Sequence, residues 1–93
     1  MDDQQIVDLY WARSEQAIQE SEYKYGAFCR SIARNILLQE QDAEECVNDT
    51  WLRAWNAMPP QRPSLLSAFF GKLTRNLSLD RWRHNRAAKR GGP

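Results

Sequence analysis

Ninety-three residues make one domain with a small core, and 42% hydrophobic and 27% charged residues with four tryptophans are the composition of a globular chain. A single histidine, the absence of a Gly-rich phosphate loop or a nucleophile beside a base, and two cysteines outside any Cys/His cluster argue against an enzyme, a cofactor or a metal site; the lack of a signal peptide or of an apolar run of about 18 residues argues against membrane insertion and for a cytoplasmic protein. The net charge of +1 conceals a division, because residues 1–49 hold eleven acids and four bases (net −7) while residues 50–93 hold nine bases and one acid, Asp80 (net +8).

The sequence reads as helices from end to end, with no run of period two, and predicts an all-α fold, a compact bundle of about four helices over residues 1–90. A short first helix spans about Asp3 to Arg13, with Ile6, Leu9 and Tyr10 at helical spacing. A second runs from about Ser14 to Leu38 on a stripe of Ile18, Tyr25, Phe28, Cys29, Ile32, Ala33, Ile36 and Leu37. Cys29 and Cys46 read as buried reduced thiols rather than as a disulfide or metal site. The third helix begins at Asp42. There "DAEE" offers a capping box in which Asp42 caps the helix and Glu45 reaches back. It ends near Met58, since Pro59 and Pro60 cannot continue it. After the stiff "PPQRPS" loop a fourth helix starts near Ser64 and fades around Ala88, and "GGP" at 91–93 reads as the start of a linker.

At about 100° per residue, Ala43, Cys46, Val47, Thr50, Trp51, Ala54 and Met58 share the core face of the third helix. Its outer side carries Glu44, Glu45, Asn48, Asp49, Leu52 and Trp55. A leucine and a tryptophan among carboxylates suit a protein-docking surface; packing on the first helices is the alternative. On the fourth helix Leu66, Phe69, Phe70, Leu73 and Leu77 form the buried stripe, and Asn76 and Asp80 fall at its edge and within it. Asp80 has Arg83 and His84 three and four residues on, an ordinary local pairing. Asn76 is either a bridge between helices or, beside the proline loop, the lining of a pocket for a planar hydrogen-bonding ligand. The opposite side presents Lys72, Arg75, Leu79, Trp82 and Arg86 in one stripe, continued by Arg83, Lys89 and Arg90. Bases at this spacing track a phosphate backbone and an indole stacks on an unpaired base. An anionic membrane is the weaker partner, because the apolar face is needed for the core.

"DAEECVNDTWLRAW", a short loop, and "SAFFGKLTRNLSLDRWR" together resemble the helical core domain of bacterial RNA polymerase sigma factors, especially the extracytoplasmic-function type, over about residues 3–90. The resemblance implies that the acidic third helix docks on the clamp helices of the largest subunit of core RNA polymerase, with Glu45, Asn48, Asp49, Leu52 and Trp55 on that surface. It implies that the loop and fourth helix recognise and open the −10 promoter element, reading the non-template single strand. A flipped base would then sit in a pocket of Ala57, Met58, Pro60, Gln61, Leu73 and Asn76, with Lys72, Arg75, Asn76, Leu79, Trp82, Arg83 and Arg86 on the DNA. An anti-sigma factor is a further partner class it admits. Departures from the family pattern are Asn48 for glutamine, Asp49 for glutamate, Phe69 for tryptophan, and Gln61 or Arg62 where a loop aromatic often stands. The second domain, which reads the −35 element, is absent from the chain, so a domain fragment, or a product that needs a separate partner, is expected. The alternative from the residues alone is a helical protein-interaction adaptor whose basic half balances its acidic half.

Overall fold

The computed structural model describes residues 1–91, with side chains through Ala87. Four helices follow in order: α1 (Asp3–Trp11), α2 (Gln16–Ile36), α3 (Glu40–Ala57) and α4 (Leu66–Gly91). The expected all-α four-helix bundle is the fold found. α2, α3 and α4 pack on one another and α1 lies against α2.

The core draws on every helix. Ile6, Val7 and Tyr10 come from α1, Cys29 and Ala33 from α2, and Leu66 and Phe70 from α4, while the whole expected face of α3 is buried from Ala43 to Met58. Phe70 sits at the centre, its ring edge-on to Trp51 at 5.1 Å and to Tyr25 at 5.5 Å, the geometry that the ring quadrupoles favour. Two pairs of buried hydroxyls meet across helices. Tyr10 Oη lies 2.7 Å from Ser21 Oγ, which donates to the Ala17 carbonyl, and Thr50 Oγ1 lies 2.8 Å from Thr74 Oγ1. Cys29 and Cys46 are free and buried, and burial pushes both thiols above their ordinary range.

Four expectations are corrected. The capping box belongs to α1, where Asp2 Oδ1 accepts from the Gln5 amide at 2.8 Å and the Gln5 side chain accepts from the Asp2 amide at 3.0 Å. α3 starts earlier, at Glu40 behind Gln39, with no side-chain cap. Asp42 is therefore inside the first turn, where its carboxylate accepts from Arg81 at 2.7 Å and from Asn85 at 2.9 Å on α4. Two hydrogen bonds to side chains, one charge-assisted, outweigh one cap bond. Second, Asn76 and Asp80 do not point inward: both are exposed, and the buried polar residues of α4 among those described are Thr74 and Ser78. α4 packs against α2 and α3 together, which turns its buried face toward Thr74 and Ser78. Third, Phe28 is exposed rather than core. Fourth, α4 does not fade at Ala88 but continues to Gly91; residues 92–93 of the expected linker start lie outside the described residues.

Candidate nucleic-acid interface

α4 presents Lys72, Arg75, Trp82, Arg83 and Arg86 to solvent, with Leu79 half-buried among them. Trp82 is 42% exposed, and the Arg86 guanidinium lies 5.3 Å from its ring centroid. Arg83 pairs with Asp80 at 3.1 Å, the local contact expected for that acid. Among the described residues no carboxylate pairs with Lys72, Arg75 or Arg86. The side chains of Lys89 and Arg90, placed on this stripe by the sequence, lie outside the described ones. Unpaired cations flanking an open indole can neutralise phosphates and stack a base in one contact.

The acidic and basic halves of the sequence meet through only two sets of ion pairs among the described residues. Arg62 binds Asp8, and Arg81 Nη2 lies 2.7 Å from Asp42 and 2.9 Å from Glu45. Arg34–Glu40, Arg30–Glu22 and Lys24–Asp3 stay within the acidic half. Mutual neutralisation of the two halves is therefore partial, and it leaves the α4 stripe cationic.

The outer side of α3 divides. Asn48 and Asp49 are exposed and Leu52 is 57% exposed. Glu45 is half-buried and tied to Arg81. Trp55 is half-buried, tilted against Tyr10 at 6.3 Å and covered by the Arg13 guanidinium at 3.8 Å. Its indole thus packs on the first helix, the alternative weighed for it above, and Leu52 is the large apolar group left open on that side.

The loop between α3 and α4 is held from α1. Arg13 Nη1 donates to the carbonyls of Trp55 at 2.7 Å and Met58 at 2.8 Å, and Trp11 Nε1 donates to the Gln61 carbonyl at 2.9 Å. Arg62 pairs with Asp8 and lies over the Trp11 ring. Of the six residues expected around a base, the Met58 side chain is fully buried in the core, Ala57 and Leu73 are half-buried, and Pro60, Gln61 and Asn76 are exposed. The Gln61 amide donates to the Ala57 carbonyl at 2.9 Å, which brings those two together. Asn76 lines a groove with Phe28 and Ile32 of α2 and with Gly71, Lys72 and Arg75, and that groove contains no loop residue. A second groove joins Trp82, Asn85 and Arg86 to Leu37, Leu38 and Asp42.

Sequence reasoning missed Asp8, Trp11 and Arg13, which hold the loop, and the Asp42–Arg81–Asn85 set. One signal was available: Arg13 has no carboxylate three or four residues away in either direction, so a base at a helix end had to find a distant partner. Among the described residues no three potential ligands gather as a metal site, and no helix is long and apolar enough to cross a membrane. A family model described as Sigma-70 region 2 matches residues 24–88. No curated protein and no solved structure matches the chain.

Proposed function

The chain belongs to the Sigma-70 region 2 family, a non-enzymatic family of sigma factors that work with RNA polymerase in transcription initiation, and on that footing we propose that it is of the extracytoplasmic-function type, binds core polymerase through α3 and recognises and melts the −10 promoter element through α4 and the preceding loop. Docking uses Asn48, Asp49 and Leu52 at the open outer side of α3, with Glu45 at its edge, against the clamp helices of the largest subunit. DNA binding uses Lys72, Arg75, Trp82, Arg83 and Arg86, which follow the phosphates of the non-template single strand and offer one stacking surface. Base selection falls to the exposed loop residues Pro60 and Gln61 and to Asn76, whose amide has both a donor and an acceptor for a base edge. An extruded base exposes that edge, so reading and melting become one event.

The observation that carries the reading is the α4 stripe: Lys72, Arg75 and Arg86 lack carboxylate partners among the described residues, and Arg86 lies over the open indole of Trp82 further along the same helix. In an adaptor whose basic half only balances its acidic half, those cations would have carboxylate partners. The test is the salt dependence of binding to a −10-like single strand. Arg75→Ala with Arg86→Ala should reduce the slope of log affinity against log salt by about 1.4, at roughly 0.7 for each phosphate no longer neutralised. An unchanged slope would leave this face a solvated surface and favour the adaptor.

A further inference from the structure

The end of α1 and the turn after it, residues 8–13, tie down the end of α3 and the loop that follows it. Arg13 reaches the carbonyls of Trp55 and Met58, Trp11 the carbonyl of Gln61, and Asp8 the side chain of Arg62. The carbonyls at the end of a helix have no intrahelical donor. Backbone amides satisfy two of them here, from Met58 to Ala54 and from Gln61 to Ala57; the Trp55 carbonyl is met by the guanidinium. A cation there also sits at the negative end of the helix dipole.

The backbone of Arg13 is unusual. Its φ is +56°, and it is the one non-glycine residue in the left-handed region among those described. A side chain in that region costs free energy and persists only where surrounding contacts hold it. Here the backbone itself holds it: the Arg13 amide donates to the Tyr10 carbonyl and the Ser14 amide to the Leu9 carbonyl, both at 3.0 Å, the Schellman close of α1, and this turn aims the side chain at the two carbonyls and at the face of Trp55, 3.8 Å from the guanidinium carbon. Trp11 adds to the pattern: it is 38% exposed, too open for a core residue, yet its indole N–H is committed to the Gln61 carbonyl. Both residues hold backbone atoms of the loop, and both leave the Gln61 side chain exposed.

We propose that Arg13, with Trp11 and Asp8, is a positioning element for base recognition: it locks the loop carrying Pro60 and Gln61 in its reading conformation, so that base selectivity at this loop depends on α1, which does not itself touch the base. The proposal rests on the base-reading role given to the loop above. A loop ordered in advance loses less entropy on binding, and that gain matters most for the base that fits the ordered geometry. Phosphate contacts come from α4 and do not pass through α1.

The test uses the 93-residue chain, a set of single-stranded DNA oligonucleotides permuted at each position, and hydrogen exchange of the Gln61 amide. Arg13→Gly is the informative variant, because glycine takes a φ of +56° without strain and the α1–α2 turn is retained without the guanidinium. Discrimination at the position read by the loop should fall by about tenfold, within the range of one good base contact, while affinity for a random strand changes by less than about twofold. The Gln61 amide should exchange at least about tenfold faster. Arg13→Lys, whose ammonium can reach the same carbonyls but cannot cover Trp55 as a plane, should recover part of both. Unchanged exchange at Gln61 would overturn the positioning role, as would wild-type discrimination in Arg13→Gly. Loss of the folded state in Arg13→Gly would assign Arg13 to stability instead. If the wild-type chain discriminates at no position while exchange at Gln61 still accelerates, base reading fails and the lock on the loop stands.

Discussion

Breaking the Arg81–Asp42 pair should cost this domain a substantial part of its stability. The Asp42 side chain is 12% exposed and that of Arg81 34%. Breaking one end of a fully buried pair costs about 3–5 kcal/mol, and an exposed pair is worth about 0–1 kcal/mol. This pair lies between those limits, since Arg81 is partly open to solvent and Asn85 remains on Asp42 Oδ2 at 2.9 Å after Arg81 is removed. Arg81→Met keeps the packing of the stem and removes the charge, and we expect a loss of about 2 kcal/mol. At about 2.1 cal/mol/K of unfolding entropy per residue, that lowers Tm by about 10 °C for a chain of this size. Thermal melts followed by circular dichroism on wild type, Arg81→Met, Asp42→Asn and the double variant form a cycle. The two changes should be coupled by at least about 1 kcal/mol, because each single variant removes the one contact the two residues share and leaves Asp42 with Asn85 or Arg81 with Glu45. Salt should weaken the effect only slightly, since enclosed pairs are poorly screened. A Tm drop below about 2 °C with additive single effects would show that Asp42 is adequately solvated without Arg81, and the account of why it abandons the helix cap would be wrong.

Asp49→Lys should weaken binding to core polymerase by pull-down while leaving Tm unchanged, because Asp49 is exposed and outside every ion pair of the described residues; unaltered capture would remove α3 as the docking helix. Tyr10 sets a pH dependence: burial pushes its phenol up to about 12, with Ser21 partly opposing the shift. The folded state keeps a proton that the unfolded chain releases near pH 10, so this stability is intact below pH 10 and is lost as pH rises toward 12. Urea midpoints at pH 9 and pH 11 should therefore fall less steeply in Tyr10→Phe, though not become flat, because burial and the Asp3 carboxylate also hold Tyr25 up to about 12. Equal slopes in the two proteins would place the alkaline loss elsewhere.

The number and order of helices, the core face of α3 and the cationic outer face of α4 were all legible in the chain alone. Each depends on residues within a few turns of one another, and helical periodicity reports such neighbours directly. Met58 ends α3 for an equally local reason, the prolines that follow it. What lay beyond reach was every choice made by a distant partner. Asp42 looked like a cap because its true partners stand 39 and 43 residues away on α4. Asn76 and Asp80 looked inward because a helical wheel gives the direction of the apolar stripe but not which of its edges the neighbouring helices cover; α2 and α3 cover the edge of Thr74 and Ser78. Trp55 was open to docking or packing, and Arg13, 42 residues earlier, decided for packing. The loop after α3 was legible as stiff, but its orientation is set by Trp11 and Arg13, which donate to its carbonyls, and by Asp8, which accepts from the Arg62 guanidinium, some fifty positions on. Helix formation is a matter of local geometry; the pairing of a charge or a backbone carbonyl is decided by whatever group the packed chain brings within about 3 Å of it.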